Sequence, residues 1–131
     1  MKTEIMLAAR DVEASSAWYQ QLFGWKSNHG GPYFDQLVND AGQLMLMLCH
    51  WGTEHHPTMR DPSAGPIGHG LVFYIQVDDI EVIYDRAQKM GTTIEEELHF
   101  FDLAYHHEFS LRDPDGWWLT VCGPQQEPTH D

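Results

Sequence analysis

The chain contains Ile5-Met-Leu-Ala-Ala-Arg-Asp-Val-Glu13 and, 68 residues later, the similarly patterned Phe73-Tyr-Ile-Gln-Val-Asp-Asp-Ile-Glu81. Each stretch begins with a short apolar segment, typical of a buried β-strand, and ends in Asp-aliphatic-Glu. Asp11 and Asp79 are suited to cap a helix, because a carboxylate at that position accepts hydrogen bonds from the free amides of the first turn. The repeat therefore predicts a strand followed by a helix in each half of the chain.

A second pair of stretches matches at an offset of 74 residues: Val38-Asn-Asp-Ala-Gly-Gln-Leu-Met-Leu46 and Arg112-Asp-Pro-Asp-Gly-Trp-Trp-Leu-Thr120. Each is typical of a strand, a tight turn and a second strand, because Asn, Asp, Pro and Gly favour turns. Gly24 and Gly91 are suited to end the two helices. Each half is therefore predicted to have the order βαβββ.

The predicted organisation is an α+β protein of two modules, which span residues 1–50 and 69–123. The linker 51–68 is rich in Pro and Gly and is predicted to lack regular structure. The stretch Leu98–His106 is predicted to be irregular as well, and the tail 124–131 to be polar and frayed.

Composition narrows the classes of partner. There are 7 Lys and Arg against 20 Asp and Glu, a formal net charge of −13 with histidine neutral. Such a chain is expected to repel nucleic acid phosphates and anionic membrane surfaces. The two cysteines, Cys49 and Cys122, fit no zinc or disulfide pattern, and no apolar run approaches the roughly 20 residues that span a bilayer. We therefore expect a cytoplasmic protein without nucleic acid or membrane partners.

The chain resembles the vicinal oxygen chelate superfamily, which includes glyoxalase I, extradiol dioxygenases and the fosfomycin- and bleomycin-resistance proteins. The resemblance rests on the repeated module, on Asp-aliphatic at each helix start and on Asp113-Pro-Asp-Gly116 before the last strand. It covers residues 3–123 as a single domain of two modules. It implies a curled, eight-stranded mixed sheet around a cavity, and a homodimer in which the modules can be exchanged between subunits.

In the metal enzymes of that superfamily, the first and the last strand of each module supply the ligands. Fitting the strand pattern to this chain places the four positions at Glu4, Leu46, Val72 and Thr120. A catalytic divalent metal needs about three ligands from His, Asp, Glu or Cys, and only Glu4 qualifies. The resemblance is therefore closest to the metal-free, bleomycin-resistance-like branch, and no cofactor is expected.

We predict a protein that sequesters a cationic or aromatic small molecule, such as an antibiotic or a metabolite, with Glu4 as its acidic anchor. Four of the predicted cavity residues are the positions that the resemblance implies, and the others follow from them by strand alternation and by a four-residue loop at Asp113-Pro-Asp-Gly116, which sets Arg112 opposite Trp117. They are Glu4, Met6, Leu46, Leu48, His50, Val72, Tyr74, His107, Phe109, Trp118 and Thr120.

Two alternatives remain open. Nine histidines permit a metal-dependent isomerase, lyase or dioxygenase of the same superfamily, in which Glu4, His50 and His107 hold Zn, Fe, Ni or Mn. The other alternative is a structural or regulatory dimer whose cavity is filled by its own side chains. No catalytic nucleophile is predicted, because no serine or cysteine stands in a recognised motif.

Overall fold

The structure, a computed structural model, describes residues 1–127 and confirms the α+β fold of two βαβββ modules. The chain divides into two compact units, one over Met1–Ile67 and one from Gly68 onward. The first module contains β1 (Met6–Ala9), α1 (Val12–Phe23), β2 (Lys26–Ser27), β3 (Phe34–Val38) and β4 (Leu44–His50). The second contains β5 (Phe73–Gln76), α2 (Ile80–Lys89), β6 (Thr93–Phe101), β7 (His106–Arg112) and β8 (Trp118–Cys122). In the described part of the chain, no helix has both the length and the apolar composition that crossing a bilayer requires.

Both sheets have the same topology. In the first module the strand order is β1-β4-β3-β2, and in the second it is β5-β8-β7-β6. The first and last strands of each module pair in parallel, and the other pairs are antiparallel. A parallel pair needs a crossover connection, and the helix and the two intervening strands provide it in each module.

Both helices begin where the sequence predicts. The Asp11 carboxylate accepts a hydrogen bond from the Ala14 amide at 3.0 Å, and Asp79 accepts one from the Val82 amide. The first helix ends at Gly24, whose φ of 75° is the left-handed conformation that glycine adopts at little cost. Both predicted capping aspartates are therefore confirmed.

Each helix covers one face of its own sheet, and we call the opposite face of each sheet its open face. In the first module the Ser16 hydroxyl of α1 bonds Asp35 of β3, so the helix lies on the Asp35 side of the sheet. In the second module the ring of Tyr84 on α2 packs against Phe109 of β7 with centroids 4.9 Å apart. The apolar cores lie beneath the helices and contain Leu7, Leu37, Leu46 and Leu48 in the first module, and Phe109, Leu111, Leu119 and Val121 in the second.

Two segments are more regular than predicted. The linker contains a turn of 3₁₀-helix, Pro57–Met59, and folds back on itself through a 2.7 Å hydrogen bond from the Gly52 amide to the Met59 carbonyl. Burial of the Met59 side chain holds this turn in place. The stretch predicted to be irregular at Leu98–His106 begins inside β6, which continues to Phe101 and pairs with β7.

Candidate functional site

The observed pairing of β7 with β8 shows that the cavity residues predicted on β7 were wrong. Arg112 lies opposite Trp118 and not Trp117, because the loop between the strands has five residues, closed by a hydrogen bond from the Asp113 amide to the Trp117 carbonyl. A shift of one residue turns every side chain of a strand to the other face. Phe109, predicted to line the cavity, therefore lies in the core beneath α2.

The same shift applies to His107, which was predicted to face Cys122. Its place opposite Cys122 is taken by Glu108, whose side chain lies on the open face. His107 is two residues from Phe109 on β7, so both lie on the same side of the sheet. The His107 ring packs edge-on against Phe100 with the ring centroids 5.2 Å apart.

In the first module, a β-bulge corrects the predicted positions of the leucines. Val38 pairs with Leu44 but Leu37 pairs with Leu46, so β4 contains one extra residue at this point. Beyond the bulge, Leu46 and Leu48 lie opposite Leu37 and Asp35, on the face that α1 covers, and both are fully buried. Neither lines an open face.

The first-module equivalent of Thr120 is therefore Met47. Met47 pairs with Met6 as Thr120 pairs with Tyr74, at an offset of 73 residues in place of the expected 74. Met6, Tyr74 and Thr120 thus occupy open-face positions, and their place in a ligand cavity stays a prediction.

The predicted acidic anchor is exposed. Glu4 precedes β1, and its side chain is 40 % exposed and forms an ion pair with Lys2 at 3.4 Å. Val72, its repeat partner, precedes β5 and is half exposed.

A buried carboxylate on the open face of the second module was not predicted. Glu108 is 7 % exposed, and its Oε1 accepts hydrogen bonds from the Tyr74 hydroxyl at 2.6 Å and from His106 Nε2 at 2.8 Å. Burial and the hydrogen bond to Glu108 raise the pKa of Tyr74. Burial and the nearby Glu108 charge also raise the pKa of the Cys122 thiol. We call Tyr74, His106 and Glu108 the Glu108 cluster.

A second chain of polar contacts lies beside this cluster. The indole Nε1 of Trp118 donates to the Thr120 hydroxyl at 3.0 Å, and that hydroxyl is 2.9 Å from the Ser110 hydroxyl. Ser110 also donates to a Glu96 carboxylate oxygen at 2.9 Å. This series of hydrogen bonds therefore includes a second carboxylate on the open face, Glu96.

A basic side chain closes one end of this open face. The guanidinium of Arg112 lies over the ring of Trp118, 4.8 Å from its centroid, in a cation–π contact. The same guanidinium is 3.4 Å from a Glu95 carboxylate oxygen and donates to the Gly116 carbonyl at 2.9 Å. Trp118 is thus held between a cation and a hydroxyl.

Two cavities open on the first module. The larger, of about 630 Å³, is lined mainly by polar residues, among them Glu4, Asn28, Gln36 and Gln43; we call it the polar cavity. The smaller, of about 490 Å³, has an aromatic, histidine and sulfur lining; we call it the histidine-lined cavity. Its lining residues are Met6, Tyr33, Phe34, Cys49, His50, Thr53, His55 and His56.

The donors present do not fit the metal site that the fold implies. With Met47 in place of Leu46, the four positions hold Glu4, Met47, Val72 and Thr120, and only Glu4 is a hard anionic donor. Nor does the unconventional set assemble: Glu4 lines the polar cavity and His50 the histidine-lined one. Across residues 1–127, no three His, Cys, Asp or Glu side chains are grouped closely enough to hold a metal ion.

The family model "Glyoxalase/Bleomycin resistance protein/Dioxygenase superfamily" matches residues 3–121 of this chain. The chain belongs to this superfamily. Its membership agrees with the repeated module and with the parallel pairing of first and last strands, and it leaves open which of the superfamily's activities the chain has.

Relatives of this superfamily member span most of its length. The protein named "Uncharacterized protein YwbC" of Bacillus subtilis (strain 168) is 26% identical, with 86% of this chain and 89% of the relative covered. Two solved structures share the superfamily fold at lower identity. TioX from Micromonospora sp. ML1 has a TM-score of 0.70 at 17% identity, covering 98% of this chain and 100% of its own. Lactoylglutathione lyase from Agrobacterium tumefaciens has a TM-score of 0.70 at 20% identity, covering 94% and 92%.

The position of Glu108 on the open face could have been predicted from the sequence. Glu108-Phe-Ser-Leu-Arg112 alternates polar and apolar residues, which is typical of a strand with one buried face. That pattern places Phe109 in the core and Glu108 and Ser110 on the other face without any assumption about the loop. The assumed four-residue loop led the prediction away from them.

Proposed function

We propose that the protein binds a small organic cation with an aromatic part on the open face of the second module, without a metal ion. The observation that carries the proposal is that two carboxylates, Glu96 and Glu108, lie on this face together with the rings of Tyr74 and Trp118. The superfamily fold supports a ligand-binding role and leaves the ligand open.

The charge balance of this face favours a cation. Glu108 accepts hydrogen bonds from a phenol and an imidazole, and Glu96 accepts one from a hydroxyl. Arg112 is the one Lys or Arg in strands β5 to β8, and it already pairs with Glu95 and Trp118. A ligand ammonium that reaches Glu108 and Glu96 would pair with both carboxylates. The net charge of −13 would also draw a cation toward the protein from a distance.

The same face offers apolar area for the rest of the ligand. The Tyr74 ring is about half exposed and the Trp118 ring is half-buried. Ligand sites commonly combine such aromatic walls with a few fixed polar groups. Both hydrogen bonds to Glu108 are made to Oε1, so a ligand ammonium would bond to Oε2.

Calorimetry tests this function with three naphthalene probes of different charge: the cation naphthylmethylammonium, the neutral naphthylmethanol and the anion naphthoate. We expect naphthylmethylammonium to bind more tightly than naphthylmethanol, and Glu108→Gln to weaken the ammonium by about fivefold or more, since hydrogen bonds to charged groups are among the stronger ones. Glu81→Gln makes the same charge change on α2 and should leave the affinity unchanged. Equal affinities for the three probes, or no effect of Glu108→Gln, would remove the cation site from this face.

Metal content decides the metal-free part of the proposal. The protein should be purified without a histidine tag and analysed for Zn, Fe, Ni and Mn. We expect less than stoichiometric metal, and cation binding that survives treatment with a chelator. Stoichiometric metal whose removal abolishes ligand binding would favour a metal-dependent enzyme instead.

We also propose that the protein is a homodimer, as its superfamily resemblance implies, with the segment 51–68 long enough to permit exchange of modules between subunits. Light scattering at micromolar concentration should give about twice the monomer mass of 15.1 kDa. A mass near 15.1 kDa would contradict the dimer and leave the ligand site of the second module as proposed.

A further inference from the structure

The histidine-lined cavity of the first module differs in chemistry from the proposed cation site. Among the residues that line it, none is Asp or Glu, although the chain has 20 of them. Three of the nine histidines line it instead. This protein is strongly acidic as a whole, but the lining of this cavity has no carboxylate and carries imidazoles instead.

Its walls suit a flat ring. Phe34 lies opposite Cys49 in the β3–β4 pair, and Met6 lies on the same open face. Tyr33 packs edge-on against the His50 ring with centroids 5.1 Å apart. Aromatic rings and polarisable sulfur atoms both favour contact with an aromatic ligand.

The polar groups of this cavity are mostly donors. His50 Nδ1 donates to the Trp51 carbonyl at 3.0 Å, since a carbonyl can only accept. The exposed rings of His55 and His56 also line the cavity, and each can donate to a ligand carboxylate from a ring N–H. The buried Thr53 hydroxyl accepts from the His55 amide at 3.2 Å, so its own proton remains to be donated.

We propose that the histidine-lined cavity is a second small-molecule site that takes an aromatic carboxylate. The ring of the ligand lies against Tyr33 and Phe34, and its carboxylate is held by the histidines and by Thr53. A volume of about 490 Å³ is of the size of small-ligand pockets. Every residue that lines this cavity belongs to the compact unit Met1–Ile67, whereas the residues of the proposed cation site belong to the unit that begins at Gly68.

The same three naphthalene probes test it. We expect naphthoate to bind more tightly than naphthylmethanol by about fivefold or more, the order expected for a charge-assisted hydrogen bond. Tyr33→Ala and the double variant His55→Gln/His56→Gln should each weaken naphthoate by a similar factor. These three side chains are exposed, so the variants are expected to fold. His69→Gln removes an exposed histidine outside the cavity and should have no effect.

Protection of a thiol locates the site without a mutation. Cys49 lines the cavity, whereas Cys122 occupies the equivalent position of the second module and is an internal reference. Naphthoate should slow alkylation of Cys49 by iodoacetamide and leave Cys122 unchanged, as measured by peptide mass mapping.

Two results would overturn the inference. One is naphthoate binding no tighter than naphthylmethanol, and the other is naphthoate binding that neither Tyr33→Ala nor the histidine double variant weakens. The two sites fail separately: Glu108→Gln should weaken the ammonium probe only, and Tyr33→Ala the carboxylate probe only.

Discussion

Tyr74 and Glu108 are joined by a 2.6 Å hydrogen bond across strands that are not neighbours in the sheet. Tyr74 on β5 pairs with Thr120 of β8, whereas Glu108 on β7 pairs with Cys122, two residues further along β8, so the contact crosses β8 diagonally. Two neighbouring inter-strand spacings amount to about 9.6 Å, a span that the long tyrosine and glutamate side chains bridge together. This hydrogen bond links the Tyr74 ring on the edge strand β5 to the buried Glu108 carboxylate on β7.

The ionisation of Tyr74 should report this contact. Burial and the bond to Glu108 raise the pKa of Tyr74 above the ordinary value of about 10. We therefore expect Tyr74→Phe to show the same ultraviolet absorbance change as the wild type up to about pH 11, because Tyr74 does not contribute there. A smaller change in the variant would mean that Tyr74 ionises normally.

The sign of the accompanying stability effect follows from linkage. Below about pH 10 the phenol is neutral in both the folded and the unfolded state, so it contributes no pH dependence. Above that pH the unfolded chain ionises first, and the free energy of unfolding falls. Denaturant titrations from about pH 9 to 11 should show a shallower fall for Tyr74→Phe than for the wild type.

Asp35 should stabilise the first module. It is 2 % exposed and accepts hydrogen bonds from the hydroxyls of Ser16 and Ser27 and from the amides of Gly30 and Gln36, at 2.6 to 2.8 Å. Although burial alone would raise it, these donors lower the pKa of Asp35. We expect Asp35→Asn to lower the free energy of unfolding by about 1–3 kcal/mol, because the amide presents donors to groups that also donate.

The Asp35 contribution should depend on pH. Since its pKa is lower in the folded state, the stabilisation is present above the unfolded value of about 3.9 and is lost as pH falls below it. Denaturant titrations from about pH 6 to 3 should show a steeper loss for the wild type than for Asp35→Asn. Asp40→Asn changes an exposed turn residue and should follow the wild type. Parallel curves for wild type and Asp35→Asn would contradict the lowered pKa.

The fold was predictable because the repeat is carried by helix caps and turns, whose chemistry is local. Asp11 and Asp79 cap their helices wherever the sheets lie. The side of the sheet to which each strand residue points was harder to predict, because one extra residue in a strand or loop reverses the orientation of the side chains beyond it. Leu44-Met-Leu-Met-Leu48 is apolar at every position, so alternation gives no sign of the bulge that shifts Leu46 and Leu48 beneath α1.

The candidate site was predicted only in part from the sequence, for the same reason. Tyr74, Trp118 and Thr120 were assigned by alternation within their own strands, which does not depend on the length of the β7–β8 loop. Glu108 was missed through a loop one residue longer than assumed, and its bond to Tyr74 joins residues 34 positions apart. Such a contact follows from the strand order β5-β8-β7, which the sequence pattern alone does not specify.

The hydroxyl pair on this face should be energetically coupled. Ser110 is fully buried, and its hydroxyl lies 2.9 Å from that of Thr120 and 2.9 Å from a Glu96 oxygen. Removing one hydroxyl leaves the other with one hydrogen-bond partner fewer in a buried position. We expect Ser110→Ala and Thr120→Val each to lower the free energy of unfolding by about 1 kcal/mol. In a double-mutant cycle the loss for the pair should be smaller than the sum by about 0.5 kcal/mol or more. Additive losses would show that the hydroxyls act independently.

A glycine at the start of the second module should be sensitive to a single methyl group. Gly68 has a φ of +70°, and a Cβ there would lie 3.1 Å from Cε3 of Trp117. Alanine at this position meets both the left-handed penalty of about 1–2 kcal/mol and a tight contact with a half-buried ring. Gly65 is three residues away, has no left-handed φ, and would have open space around a Cβ. We therefore expect Gly68→Ala to lower the midpoint of urea unfolding and Gly65→Ala to leave it unchanged or raise it slightly. If the two variants unfold at the same urea concentration, the contact between Gly68 and Trp117 does not constrain the start of this module.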